Sequence, residues 1–232
     1  MEHERDVILA FSQATVHLRQ GADEEAVHGY RIAGRRVLSL LALWRPLIYE
    51  PRLERQLASA IKALSALRDA QVHALHFGDK AGTQSAVPVP ELESALLAWW
   101  LRREEWGRQP QLARFYAMSL GAGLLERLDV DGPLALRQWH ALRLAVKAGR
   151  YGVELLVSQG DAPLGWLAEL CEWQELLGQL QDRRQWRRRL ALEGELGTAD
   201  KLATQLTQRQ RQLERRRPVL RELAVRMAQR GG

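Results

Sequence analysis

His28, Arg31 and Arg35 stand at spacings of three and four in the stretch HGYRIAGRR, residues 28 to 36. Residues 140 to 151, HALRLAVKAGRY, set His140, Arg143 and Lys147 at the same spacings. On an α-helix, positions i, i+3 and i+7 share a face. A core stripe at this spacing would be leucine, and a solvated face would mix its signs. These faces carry donors and positive charge instead. Seven residues of helix rise about 10 Å, so each stripe can follow successive anionic groups of an extended chain. Guanidinium forks match phosphate oxygens bidentately. Arg36 stands at the edge of the first stripe. Arg150 extends the second by a turn, with Tyr151 beside it as a hydroxyl donor.

The histidines head both stripes. An imidazole among arginines is expected to be neutral, because like charge disfavours the imidazolium. A bound polyanion favours the charged form. His28 and His140 are therefore read as donors to phosphate oxygens; the other reading makes each a core histidine that orders a neighbouring helix. Asp69 and Asp182 cannot attract a polyanion. They are read as partners that fix arginine rotamers. The carboxylates are too few and too scattered to predict a metal site, and nothing in the sequence calls for a cofactor.

The elements that must position these residues are helices. In 232 residues, 46% are apolar and only 8 are proline, and good helix formers dominate. That apolar fraction supports a core. Helices are predicted over about residues 4–20, 23–45, 51–77, 90–107, 111–128, 133–159, 163–190 and 198–228. Asp23 reads as an N-cap and Pro46 as a stop signal. The longest loop is expected at residues 78–90, and Pro218 should kink or split the last helix. Long helices with short connections favour antiparallel bundles. Trp44, Trp99, Trp100, Trp139, Trp166 and Trp173 fall on or beside apolar faces and read as core anchors. Cys171, the single cysteine, reads as a buried structural thiol.

The chain repeats. His28, Arg31 and Arg35 fall on His140, Arg143 and Lys147 at an offset of 112, and Leu67 and Asp69 fall on Leu180 and Asp182 at an offset of 113. One residue of drift fits a duplicated unit with one small insertion. The simplest architecture is two four-helix halves, residues 1–108 and 109–232, packed with pseudo-twofold symmetry that brings the stripes toward one another.

With these motifs in place, the sequence resembles the CHAD domain family, the conserved-histidine α-helical domain. The family pattern H-x-x-R-x-x-x-[RK]-[RK] is present as VHGYRIAGRR and in a second version as WHALRLAVKAGRY. The leucine-arginine-aspartate segment is present as Leu67, Arg68 and Asp69. Its second-half counterpart departs, with Gln181 where Arg68 stands. The resemblance spans nearly the whole chain. It implies one all-α CHAD domain of two antiparallel four-helix bundles enclosing a basic central groove. It further implies binding of inorganic polyphosphate, and association with polyphosphate granules and their proteins. Arg102, Arg103, Arg114, Lys201, Arg209, Arg216 and Arg217 are candidates for the groove wall. The run Arg187, Arg188 and Arg189 cannot all face one way and reads as a solvated face, with the site as the other reading.

Charge agrees with an anionic partner. The net charge is +6 and the pI about 10.0. The surplus of Lys and Arg between Arg183 and Arg230 exceeds that total, so the rest of the chain is slightly acidic. No phosphate loop, HExxH or paired acid set supports catalysis, and a binding protein is expected rather than an enzyme. Nucleic-acid binding is the alternative, though no helix-turn-helix, zinc finger or aromatic nucleic-acid motif is evident. A non-catalytic helical scaffold is the third reading. No apolar run is long enough to span a bilayer. MEHERDVILAF lacks the apolar region of a signal peptide, so a cytoplasmic location is expected.

Overall fold

The structure is a computed structural model and describes residues 2–77, 89–192 and 194–229. Among these, all regular structure is α-helix: α1 (Glu2–Gln20), α2 (Glu24–Trp44), α3 (Pro51–Ala63), α4 (Ser65–Phe77), α5 (Glu93–Glu104), α6 (Pro110–Leu128), α7 (Leu136–Ser158), α8 (Leu164–Leu192) and α9 (Leu196–Gln229). No described helix is long and apolar enough to cross a membrane. The expected 78–90 loop lies, up to residue 88, outside the described residues. The chain divides into two compact units, Met1–Ala113 and Arg114–Gly232, and the division falls in the first turn of α6.

Local chemistry sets the helix ends. Asp23 accepts a hydrogen bond from the Ala26 amide at 2.8 Å, which satisfies one donor of the first turn of α2. Pro51 and Pro110 open α3 and α6, where no amide donor is needed. Gly194 takes a positive φ of 85° in the turn between α8 and α9, a backbone that a side chain would resist.

One expectation is corrected and one is narrowed. The helix expected over 51–77 divides at Leu64 into α3 and α4. Leu64 itself is buried, so apolar periodicity runs through the break and hides it. The last helix continues through Pro218 without being split. Pro218 is exposed, so the carbonyl that loses its donor lies on the side where water can serve it.

The first unit is held by an apolar core and one buried ionic knot. Phe11 and Tyr30 pack with ring centroids 5.3 Å apart, and Trp44 and Trp99 are buried beside Val37, Leu40 and Leu96. Glu4 on α1 and Arg103 on α5 are both 2% exposed. Arg103 Nε stands 2.5 Å from Glu4 Oε2. Trp44 Nε1 donates to Glu4 Oε1 at 3.0 Å, and the Arg103 guanidinium lies 3.9 Å from the centre of the Trp44 ring. The pair thus ties α1, α2 and α5 together. Arg103, a groove-wall candidate from sequence, is a core residue.

In the second unit, α6, α7, α8 and α9 close over Trp139, Leu142, Leu170, Trp173, Leu213 and Leu223. All six tryptophans named from sequence are buried. A Cβ on Gly121 would meet the Ala224 carbonyl oxygen of α9 at 2.6 Å, so glycine lets α6 approach the α9 backbone. Cys171 is exposed, contrary to expectation. Its neighbours Leu170 and Trp173 take the core positions, and position 171 is turned about 100° from Leu170.

Two measurements check this account. Glu4→Ala leaves Arg103 buried without its carboxylate and should lower unfolding free energy by about 3–5 kcal/mol in urea denaturation. Tyr30 is fully buried, and its hydroxyl has no hydrogen-bond partner among the described residues. Burial, and then the Glu93 carboxylate, push its pKa from 10.0 up to about 12 against the opposing pull of Arg19. The folded state therefore holds this proton more tightly than the unfolded chain. Its contribution is intact below pH 10 and is lost as pH rises toward 12. Tyr30→Phe should show a shallower alkaline loss of stability than the parent chain; equal slopes overturn this assignment.

Candidate anion-binding site

The first stripe lies on α2 beside α3 and α4. His28 is exposed, and Arg31, Arg35 and Arg36 are half-buried. Arg31 Nη1 donates to the Ile61 carbonyl at 2.8 Å and to Ser65 Oγ at 3.0 Å. Ile61 lies in the last turn of α3 and Ser65 opens α4, so this guanidinium sits at the break itself. A cation at a helix C-terminus is favoured by the dipole and by the carbonyls that lack helical donors. Arg68 on α4 donates to Glu24 Oε1 at 2.8 Å. Gln71, buried, reaches the Ala22 carbonyl at 3.4 Å. Asp69 is exposed beside them.

The second stripe lies on α7 against α8. The start of α7 is fixed from α9. Arg217 donates to the Gly132 and Val130 carbonyls at 2.8 and 3.0 Å, and Glu214 accepts from the Leu134 amide at 2.5 Å. Gln138 reaches back to the Ala135 amide at 2.7 Å. From this anchored end project His140, Arg143, Lys147 and Arg150, all half-buried. Arg150 is committed within the fold. It donates to Gln174 and Glu154 at 2.8 and 3.2 Å and lies 3.9 Å from the centre of the Tyr151 ring. Tyr151 is 3% exposed, so it supports Arg150 as a ring surface.

Between the start of α7 and the end of α8 lies a cavity of about 710 Å³. Leu136, His140, Gln181, Arg184, Gln185, Arg187, Arg188, Ala191 and Leu192 line it. Its size is that of a small-molecule site. A void of about 10 Å³, room for one water, is lined by Arg143 together with His140, Gln181 and Arg184. His140 Nδ1 lies 3.3 Å from Gln181 Oε1. Arg143 Nε is buried and has no hydrogen-bond partner among the described residues. Arg184, Arg187 and Arg188 are exposed and form no hydrogen bond or ion pair among the described residues. On α9, where Arg209 meets Gln179 of α8, its guanidinium is held below its ordinary pKa, by burial first and then by the charges of Arg183 and Arg216, with Glu175 opposing. Positive charge is thus in local excess along α8.

The remaining candidates are scattered. Arg102 pairs with Glu50, and Arg216 with Glu172. Arg209 donates to Gln179 and Gln212. Arg217 holds the loop before α7. Arg114 and Lys201 are exposed, and Asp182 is half-buried on α8. Sequence reading missed Arg184 and gave the run at 187–189 no direction. The available signal was Gln181, Arg184 and Arg188, which repeat the i, i+3, i+7 spacing of the stripes.

Comparisons with known proteins bear on the family and the fold. A family model described as the CHAD domain matches residues 5–130. The crystal structure of the CHAD domain from the plant Ricinus communis is similar with a TM-score of 0.64 at 21% identity, covering 94% of this chain and 87% of that one. At that identity the likeness shows the fold. No curated protein matches the chain. The family match ends before His140, so the second stripe and its cavity lie outside it.

Arg31 and Arg143, which hold matching places in the two stripes, should differ in their effect on stability. Arg31→Met strips two hydrogen bonds from the α3–α4 junction and should cost about 1–3 kcal/mol in urea denaturation. Arg143→Met removes a buried donor that lacks a partner, keeps the aliphatic stem, and should leave stability within about 0.5 kcal/mol or raise it.

Proposed function

Because this chain belongs to the CHAD domain family, we propose that it binds inorganic polyphosphate through the cations of its two stripes: His28, Arg31, Arg35 and Arg36 on α2, and His140, Arg143, Lys147 and Arg150 on α7. The observation that carries this reading is the cavity between α7 and α8, lined by Arg184, Arg187 and Arg188, with Arg143 in the small void beside it, and no carboxylate against them among the described residues. Such a cluster repels itself unless an anion joins it. Arg31 and Arg150, whose donors serve the fold, contribute charge and shape to their stripes.

Polyphosphate fits this surface better than nucleic acid does. Base readout and stacking need exposed aromatic platforms, and the cavity lining holds none among the described residues. Phosphoryl oxygens need donors, and the lining supplies arginines, glutamine amides and an imidazole. The reading is binding without turnover: among the described residues, the cavity lining offers no carboxylate or hydroxyl side chain to serve as a nucleophile. Where polyphosphate is stored in granules, binding of this kind would draw the protein to them.

Titration calorimetry with medium-length polyphosphate tests the proposal. The parent chain should bind, and affinity should fall as salt rises, because neutralised phosphates release their counterions. Arg143→Met combined with Arg184→Ala should weaken binding at least about tenfold, the equivalent of about 1.4 kcal/mol, while the variant stays folded. Single-stranded RNA should compete poorly. No binding, or equal competition by RNA, overturns the reading.

A further inference from the structure

The two halves of the repeat place different chemistry at corresponding positions. At the offset of 112, Glu24 falls on Leu136; at 113, Arg68 falls on Gln181 and Gln71 on Arg184. The same offset sets Ala74 and Leu75 against Arg187 and Arg188. In the first unit, Glu24 stands on Arg68 at 2.8 Å, and Gln71 is buried against Ala22. An internal carboxylate therefore occupies the place where an anion would sit. In the second unit the carboxylate is replaced by leucine and its arginine by glutamine, and three further arginines surround an open cavity.

The shape of that cavity limits what it holds. Arg184 and Arg188 are one helical turn apart, about 5.4 Å, and His140 lines the cavity from the facing helix, with Arg143 in the small void beside it. Leu136, Ala191 and Leu192 also line it and offer no donor to a phosphate. A chain that enters among the arginines meets apolar side chains within a few phosphoryl units.

We propose that the cavity between α7 and α8 is a self-standing site for a short oligophosphate, or for the end of a longer one, and that Glu24 on Arg68 keeps its first-half counterpart closed. The chain then carries one open oligophosphate site, not two equal ones. This inference rests on the phosphate-binding reading above and adds to it a site, a ligand length and an inequality between the halves.

Calorimetric titration of the full chain with tripolyphosphate, beside medium-length polyphosphate, tests it. Tripolyphosphate should bind with a stoichiometry of one. Arg184→Ala combined with Arg188→Ala should lower its affinity at least tenfold with an unchanged melting temperature. Glu24→Gln releases Arg68 and should add a second, weaker site, raising the stoichiometry toward two. Two equal sites in the parent chain, or unaltered affinity in the arginine variant, overturn the inference. A stoichiometry that stays at one in Glu24→Gln overturns the closed counterpart. If medium-length polyphosphate binds and tripolyphosphate does not, this inference falls while polyphosphate binding stands. If neither binds, both fall.

Discussion

An arginine cannot discharge itself at any pH the fold survives. Each guanidinium in this chain must therefore be matched within the protein or face an anion or water. The structure contains both outcomes, and its organisation follows from how they are distributed. Arg103 is matched most completely: a carboxylate, two indole rings and the Gly107 carbonyl surround it, and three helices depend on that cluster. Arg31 is matched by the end of α3, Arg150 by Gln174, Glu154 and a tyrosine ring, and Arg217 by the loop that leads into α7. Arg143, Arg184, Arg187 and Arg188 have no such match among the described residues. What makes them a candidate site is this lack of compensation, since the chain elsewhere shows that compensation is readily built.

The helical character, most helix limits and the tryptophan core were legible in the sequence, because each rests on periodicity or on a local stop signal. So were the stripes, since helical spacing alone aligns them. What escaped depends on partners distant in sequence. Glu4 reads as a first-turn acid and Arg103 as a surface cation; only their meeting across about a hundred residues makes them core. The break at Leu64 is hidden because Leu57, Ile61 and Leu64 keep an unbroken apolar face. Cys171 looked buried because its neighbours are, and one step along a helix is enough to reverse that. Arg184 was passed over because a dense run of arginine blurs the direction each one takes.

The same distinction bears on the duplicated motif. Equal spacing of His28, Arg31 and Arg35 with His140, Arg143 and Lys147 implies equal roles if the motif is read alone. The residues opposite the motif decide otherwise. Across from the first stripe, the helix is broken and its carbonyls draw Arg31 in. Across from the second, α8 runs from Leu164 to Leu192 without interruption, and at the position of Ser65 it has Gly178. No helix end and no hydroxyl is presented there to take Arg143.

Continuity of α8 also determines what its arginines can do. On an unbroken helix, Gln181, Arg184 and Arg188 keep a fixed register against His140 and Arg143. Binding a phosphate chain then orders side-chain ends, not backbone, and the entropy lost on association is smaller. A broken helix in the same place would have to bring two segments into register first. The α3–α4 junction avoids that requirement by taking Arg31 as part of its own structure and pairing Arg68 with Glu24. In the first unit the cations thus stabilise a break between two helices. In the second unit α8 runs unbroken, and Arg143, Arg184, Arg187 and Arg188 beside it are left without a carboxylate among the described residues.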